Sequence, residues 1–180
     1  MVESESARKG KKGDTGMNGI EIYTGYYANI RKYLQGGCAL IGISIGTPKW
    51  LGDPSIITFL RKLAPAPYML GIEDEAEYTR QFRERVLGRL DYGATITDIE
   101  RVALMAGKRK AVLLCYEKPP KFCHRSLVAE WISSHGEYAV TEYGYADGAP
   151  AAEAAKPKEV QPDLFAEAGV EIRVQEQDWR

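Results

Sequence analysis

The fold of this chain is best predicted from AVLLCYEKPPKFCHRSLVAEW, residues Ala111 to Trp131. Its first part is a continuous apolar run, which is typical of a parallel strand covered on both faces. After a short loop, the segment Cys123–Ser134 has the apolar spacing of a helix and opens on Cys-His-Arg. We therefore expect a thiol, an imidazole and a guanidinium at a junction between a strand and a helix. Ligands of α/β domains commonly bind at such junctions.

Further strands are predicted on both sides of this stretch. GIEIYTGY begins at Gly19, CALIGISIG begins at Cys38, and Tyr138–Tyr143 is a shorter β-type run. Strands that alternate with helices favour a parallel sheet. We expect an α/β fold, with a single layered domain over residues 19–145 and a mostly parallel sheet flanked by helices.

Helices are predicted between the second strand and Ala111. Asp53-Pro54 has the form of an N-cap followed by a first-turn proline, and it predicts a helix that ends before Pro65. Periodic apolar residues predict a second helix over Glu73–Leu90. A third helix is expected to start at Thr95 or Thr97 as its N-cap and to end at a glycine, Gly107.

The two ends of the chain differ in composition from this domain. Residues 1–18 are polar and rich in glycine and lysine, which predicts a disordered basic tail. From Ala146 the chain is rich in Ala, Pro, Glu and Lys, so residues 146–180 are predicted to be a linker and a C-terminal tail.

Composition limits the classes of function. The net charge of −1 gives no overall attraction to nucleic acid or to a membrane surface. No apolar run approaches the roughly 20 residues of a membrane span, and the N-terminus lacks the apolar core of a signal peptide. An odd count of 3 cysteines favours reduced thiols. We expect a cytoplasmic protein with no membrane partner.

The strand-to-helix junction supplies the candidate catalytic residues. Cys115 and Glu117 follow the strand, and Cys123, His124 and Arg125 return to the same rim in the first turn of a helix. Helix N-termini favour anions and lower thiol pKa values, so Cys123 is predicted to be a nucleophile or redox thiol. His124 is predicted to be the acid or base, and Glu117 a base or an orienting group. Arg125 is predicted to bind an anion.

Structural interpretations of the same residues remain open. Cys115 in LLCY fits a small core residue, Cys123 fits a plain helix start, and His124 and Arg125 can tie the helix to Glu117. A zinc site would use Cys115, Cys123 and His124. Their spacing does not match the usual ligand patterns, and Cys38 would have to complete the set. The sequence therefore predicts no metal site and identifies no cofactor.

Aromatic and basic residues near other strand ends extend the predicted site. Lys49 and Trp50 follow the second strand and Tyr23 lies in the first, so all three are candidates for ligand binding. A surface lysine and a tryptophan that covers the core are the alternatives. No Gly-rich phosphate loop is present, which argues against ATP hydrolysis and dinucleotide redox chemistry.

The motif also supports a family resemblance. LLCYEKPPKFCHRSLVAEW closely resembles the C-terminal signature of the DUF488 family of small bacterial and phage proteins, with Cys115, Glu117, Cys123, His124 and Arg125 at the matching positions. IYTGYYANI resembles the opening strand of the family. Many members carry Asp-Val-Arg where this chain has Gly-Ile-Ser, so that arginine is missing here. The resemblance implies an α/β fold over roughly residues 19–143.

A second motif lies in the tail. Gln161, Leu164 and Phe165 have the form Gln-x-x-Leu-Phe and resemble the peptide that docks on bacterial sliding clamps. The alternative is that the Leu-Phe pair folds back onto the domain. Two functions are therefore predicted: an enzyme of nucleotide or nucleic-acid metabolism, or a non-catalytic nucleotide- or nucleic-acid-binding module recruited to the clamp.

Overall fold

A computed structural model describes residues 19–144 of the chain. Its centre is a sheet of five strands in the spatial order β3-β2-β4-β1-β5. The strands are β1 (Glu21–Tyr26), β2 (Cys38–Gly42), β3 (Thr58–Phe59), β4 (Lys110–Cys115) and β5 (Thr141–Glu142). Every pairing between them is parallel, which confirms the α/β fold and the parallel sheet predicted from the sequence.

Helices cover both faces of this sheet. They are α1 (Ile30–Gln35), α2 (Glu75–Arg85), α3 (Tyr92–Met105) and α4 (His124–Ser134). Helix α1 packs on one face against β2, α3 and α4 pack on the other face, and α2 packs on α4. None of the helices within residues 19–144 is long and apolar enough to cross a membrane.

The central strand β4 contributes side chains to two hydrophobic cores, one on each face of the sheet. Ala111 and Leu113 are fully buried in the core beneath α3 and α4, whereas Val112 and Leu114 are fully buried in the core beneath α1. Because side chains alternate along a strand, Cys115 points to the face that carries α4. A strand that is buried on both faces explains why the sequence here is a continuous apolar run.

The prediction of a helix after Asp53 is wrong. Asp53 does cap a turn, since its side chain accepts a hydrogen bond from the N–H of Ser55 at 2.8 Å, but only a short 3₁₀ turn follows. The chain then enters β3, where Thr58 and Phe59 pair with the end of β2. A Cβ at Gly42 would lie 2.6 Å from the Phe59 ring, so the missing side chain at Gly42 makes room for this edge strand. Pairing with β2 thus overrides the local helix signal.

Other element boundaries also differ from the predictions. Helix α2 ends at Arg85 rather than Leu90, and its last predicted turn is a separate 3₁₀ turn. Helix α3 starts earlier than predicted because Asp91, not a threonine, is its N-cap, accepting from the N–H of Ala94 at 2.7 Å. Helix α1 was not predicted at all, and the last strand contains two residues instead of six. The predicted tails, residues 1–18 and 146–180, lie outside the described residues.

Candidate active site

Three reactive side chains meet at the carboxyl end of β4. Cys115 is the last residue of that strand, Cys123 is the N-cap residue of α4, and His124 is its first residue. The Cys115 Sγ lies 3.6 Å from the His124 Nδ1, and the Cys123 Sγ lies 4.0 Å from the same nitrogen. The three ligand atoms are all within 4.8 Å of one another. We call these three residues the Cys-His cluster.

The orientation of the imidazole is fixed by the backbone of a neighbouring segment. The His124 Nε2 lies 2.8 Å from the carbonyl oxygen of Ile43, just past the end of β2. A carbonyl oxygen only accepts hydrogen bonds, so Nε2 carries the proton and donates it. The Phe82 ring packs against the imidazole, with centroids 5.3 Å apart. In the neutral ring, the lone pair of Nδ1 is therefore directed at the two sulfurs.

The two thiols of the cluster influence each other strongly. The hydrogen bond with Cys123 and then burial raise the pKa of Cys115. The same hydrogen bond lowers the pKa of Cys123, and the N–H of Arg125 adds to this effect against the opposing effect of burial. The proton shared by the pair therefore resides on Cys115, and the negative charge develops on Cys123 at the start of α4.

The Cys-His cluster forms part of the wall of a cavity of about 740 Å³. Cys115 is only 4% exposed, and Cys123 and His124 are each 6% exposed. Aromatic side chains form another part of the wall: Tyr78 packs edge-to-face on Phe122 at 5.5 Å, and Tyr116 lies nearby, half exposed. The charged residues lining the cavity are Glu73, Glu75, Glu117 and Lys121. The cavity is thus an aromatic slot with an acidic mouth and a thiol-imidazole floor.

Glu117 lies at this mouth. Its carboxylate is paired with the Lys121 ammonium at 3.3 Å, and the lysine is largely in solvent whereas Glu117 is partly exposed. The backbone carbonyl of Glu117, not its carboxylate, accepts a hydrogen bond from the Nη1 of Arg125. The predicted link from Glu117 to α4 therefore exists, but it is made by the main chain.

Arg125 belongs to a separate network. Its Nε donates to Glu142 Oε2 at 3.1 Å, and the same oxygen accepts from the Thr24 hydroxyl at 2.7 Å. The residue is 4% exposed, and although this burial lowers the pKa of the guanidinium, the Glu142 carboxylate helps to hold that pKa above its ordinary value. We call Arg125, Glu142, Thr24 and the Glu117 carbonyl the Arg125 network. It ties α4 to β1 and β5, beside the cavity rather than inside it.

The other predicted ligand-binding residues are not among the residues that line this cavity. Lys49 and Trp50 form an exposed 3₁₀ turn, and half of the Trp50 surface is in solvent. Tyr23 lies in the middle of β1, where it hydrogen-bonds Glu21 and packs on Tyr143 at 5.1 Å. These positions separate the three residues from the Cys-His cluster.

Two further predictions concern Cys38 and the C-terminal tail. Cys38 begins β2 opposite Lys110, at the amino end of the strands, so it does not reach the cluster. The tail residues Gln161, Leu164 and Phe165 lie outside the described residues.

Sequence reasoning missed several residues of the site. Tyr78 lies in the segment Glu73–Leu90, for which the sequence predicts only a helix, and Phe122 belongs to the loop before α4. The periodicity that predicts a helix does not distinguish a core residue from one that lines a cavity. Ile43 contributes through its carbonyl oxygen, and a backbone acceptor has no sequence signal of its own.

Comparison with known proteins identifies a family for this chain. A family model described as DUF488-N3a, the active DUF488-N3 subclade, matches residues 45–136, which is half of the chain. The matched range contains all three members of the Cys-His cluster. No curated protein and no solved structure matches the chain.

Proposed function

The chain belongs to the DUF488-N3a family, whose model is described as an active subclade, and on this premise we propose that it is an enzyme with the Cys-His cluster as its active centre. The observation that carries the proposal is the convergence of two thiols and an imidazole on the floor of one cavity. Reactive side chains from a strand end and a helix start, placed where a ligand fits, are typical of catalytic sites in α/β proteins.

The walls of the cavity favour a flat ligand. Tyr78, Phe122 and Tyr116 offer ring faces and edges on which a planar group can stack. A volume of about 740 Å³ is within the usual range for small-molecule sites. We infer a ligand that carries an aromatic heterocycle such as a nucleobase.

The charges of the residues that line the cavity restrict the class of ligand further. Of the described residues that line the cavity, three are carboxylates and one is a lysine, and that lysine is already paired with Glu117. Arg125, the predicted anion site, is neutralised by Glu142. A phosphate would therefore meet like charge at the mouth, because unpaired cations are lacking among these residues. The proposed ligand is an uncharged or cationic base or nucleoside, and any phosphate of a nucleotide or nucleic acid stays outside.

Activity-based metabolite profiling tests this proposal. The purified full chain is incubated with a deproteinised cell extract, and the loss of each compound is followed by mass spectrometry. We expect the wild type to consume at least one heterocyclic compound. Cys123→Ser and His124→Ala should each abolish that consumption, since both remove a group from the cavity floor.

Cys38→Ser is the matched control, because Cys38 is a buried cysteine outside the cluster. It should consume the same compound at the wild-type rate. If the wild type and a folded Cys123→Ser variant give identical profiles, the cluster is not an active centre.

A second candidate function is a non-catalytic module that binds a nucleobase-containing ligand and attaches to a sliding clamp. It is favoured by the Gln-x-x-Leu-Phe pattern at Gln161, Leu164 and Phe165. A pull-down with purified bacterial clamp should retain the full chain and should lose it on the double change Leu164→Ala and Phe165→Ala. Absence of binding by the wild-type chain would remove this candidate.

A further inference from the structure

We propose that the Cys-His cluster is a zinc site with three protein ligands and a fourth position open to the cavity. The ligands are Cys115 Sγ, Cys123 Sγ and His124 Nδ1. This inference deepens the proposed function and its catalytic part rests on that proposal, whereas metal binding itself can be measured without any substrate.

The two distances from the His124 nitrogen to the sulfurs are close to those of a tetrahedral site. With Zn–S bonds of about 2.3 Å and a Zn–N bond of about 2.0–2.1 Å, a sulfur and a nitrogen ligand lie about 3.6 Å apart. The observed separations from His124 Nδ1 are 3.6 Å to the Cys115 sulfur and 4.0 Å to the Cys123 sulfur. Small side-chain adjustments would therefore suffice to bind the ion.

The surroundings of His124 support the same conclusion independently. Histidines that bind metals usually donate their other ring N–H to a carboxylate or a backbone carbonyl, which fixes the tautomer and the ring orientation. The Nε2 of His124 makes this contact with the Ile43 carbonyl at 2.8 Å. Nδ1, the nitrogen that faces the sulfurs, is thereby left as the ligand atom.

The charge of the cluster favours a divalent ion of the zinc type. Metal binding releases the thiol protons of both cysteines, and two buried thiolates carry a charge of −2 that is costly to leave uncompensated in a protein interior. A divalent cation cancels it, and thiolate and imidazole are ligands that zinc accepts readily. Magnesium and calcium prefer oxygen ligands, so this donor set selects against them.

The open fourth position distinguishes this site from a structural zinc site, which has four protein ligands. Within residues 19–144, the group of His, Cys, Asp and Glu side chains close enough to share an ion consists of Cys115, Cys123 and His124. The same three residues line the cavity, so in this proposal the fourth position is open to the space proposed for the ligand. An ion there would polarise a ligand atom or lower the pKa of a bound water.

The test begins with zinc alone and the full chain. Protein that has been reduced and treated with a chelator is titrated with Zn²⁺ and examined by native mass spectrometry. We expect one ion per chain. Cys115→Ser and Cys123→Ser should each weaken binding more than about 100-fold, since loss of a direct ligand exceeds the 10–100-fold effect of outer-shell changes. Cys38→Ser should bind like the wild type.

A readout on the unmodified chain covers the case in which a variant fails to fold. Zinc should slow the alkylation of Cys115 and Cys123 by iodoacetamide and leave the rate at Cys38 unchanged. The proposal is overturned if the folded, reduced wild type binds no zinc, or if Cys38→Ser weakens binding as much as Cys123→Ser does.

The two proposals can fail separately. If chelator-treated protein binds no added zinc yet still consumes its compound, the zinc site is wrong and the proposed enzyme stands. If zinc binds stoichiometrically but wild type and Cys123→Ser give identical metabolite profiles, the enzyme is wrong and the zinc site stands.

Discussion

His124 and Arg125 are adjacent residues in the first turn of α4, yet their surroundings are opposite in kind. The His124 ring leaves Nδ1 and two sulfurs facing a cavity, with no oppositely charged residue bound to them among the described contacts. Arg125 is bound by Glu142 and by the Glu117 carbonyl, and Glu142 is also bound by Thr24. One short motif thus supplies both an open cluster and a closed network. The comparison indicates that Arg125 fixes the start of α4 and, with it, the positions of Cys123 and His124.

The largest effect on stability is expected from Arg125→Ala. Removing the guanidinium leaves the Glu142 carboxylate, which is 17% exposed, without its cation, and breaking a largely buried pair in this way costs about 3–5 kcal/mol of unfolding free energy. Urea denaturation measures the loss. The matched control is Arg83→Ala, because the Arg83–Glu130 pair is of similar length, 2.7 Å, but lies in solvent and should contribute about 0–1 kcal/mol. Equal losses for the two variants would contradict the contrast.

A double-mutant cycle examines the network itself. Arg125→Met and Glu142→Leu should each destabilise the protein, and the double variant should be more stable than the sum of the two losses predicts. Two contacting groups couple by about 0.5–3 kcal/mol, and apolar replacements of a buried pair leave no uncompensated charge. The same urea titrations give the coupling energy. Strict additivity would show that Arg125 and Glu142 act independently.

A smaller loss is expected from His124→Leu. The variant keeps an apolar side chain against Phe82 but leaves the Ile43 carbonyl without its donor, which costs about 1–3 kcal/mol. Thermal and urea unfolding measure this cost. A variant as stable as the wild type would mean that the hydrogen bond to Ile43 contributes nothing to the unfolding free energy.

The smallest effects on stability are expected from Cys115→Ala and Cys123→Ala in metal-free protein. Each removes one small sulfur beside an existing cavity, so the unfolding free energy should change by about 1 kcal/mol or less. Zinc binding and turnover should nevertheless be lost. If the unfolding free energy fell as much as it does for Arg125→Ala, the cysteines would be needed for folding stability. The contrast with the Arg125 network would then be wrong.

The sequence predicts the sheet and the members of the cluster because both depend on local patterns. The apolar run of β4 and the Cys-His-Arg helix start are contiguous, and a short loop must return Cys123 to the end at which Cys115 lies. The directions in which the His124 and Arg125 side chains point depend instead on partners that are distant in the sequence. Glu142 lies 17 residues beyond Arg125, and no pattern in the sequence pairs them.

Other differences from the sequence-based expectations have the same origin. β3 forms because the Thr58–Phe59 segment finds an open edge next to Gly42, which a local helix signal cannot anticipate. Lys49 and Trp50 follow a strand end as predicted, but the turn they form carries them into solvent. A residue that follows a strand can therefore be predicted to lie at the carboxyl edge of the sheet. Whether it reaches the cavity depends on the path of the loop, which the sequence pattern does not give.

The parallel pairing of β1 with β4 also has a consequence for how this site forms in time. Glu21 pairs with Lys110, so the two central strands join only after a loop of about 90 residues has closed. Pairings of such high contact order fold slowly, and on the ribosome β4 emerges long after β1. The Cys-His cluster can consequently form only after β4 and the start of α4 have been synthesised. A truncated chain that ends before Cys123 would contain neither Cys123 nor His124, so no fragment of the N-terminal half can carry the cluster.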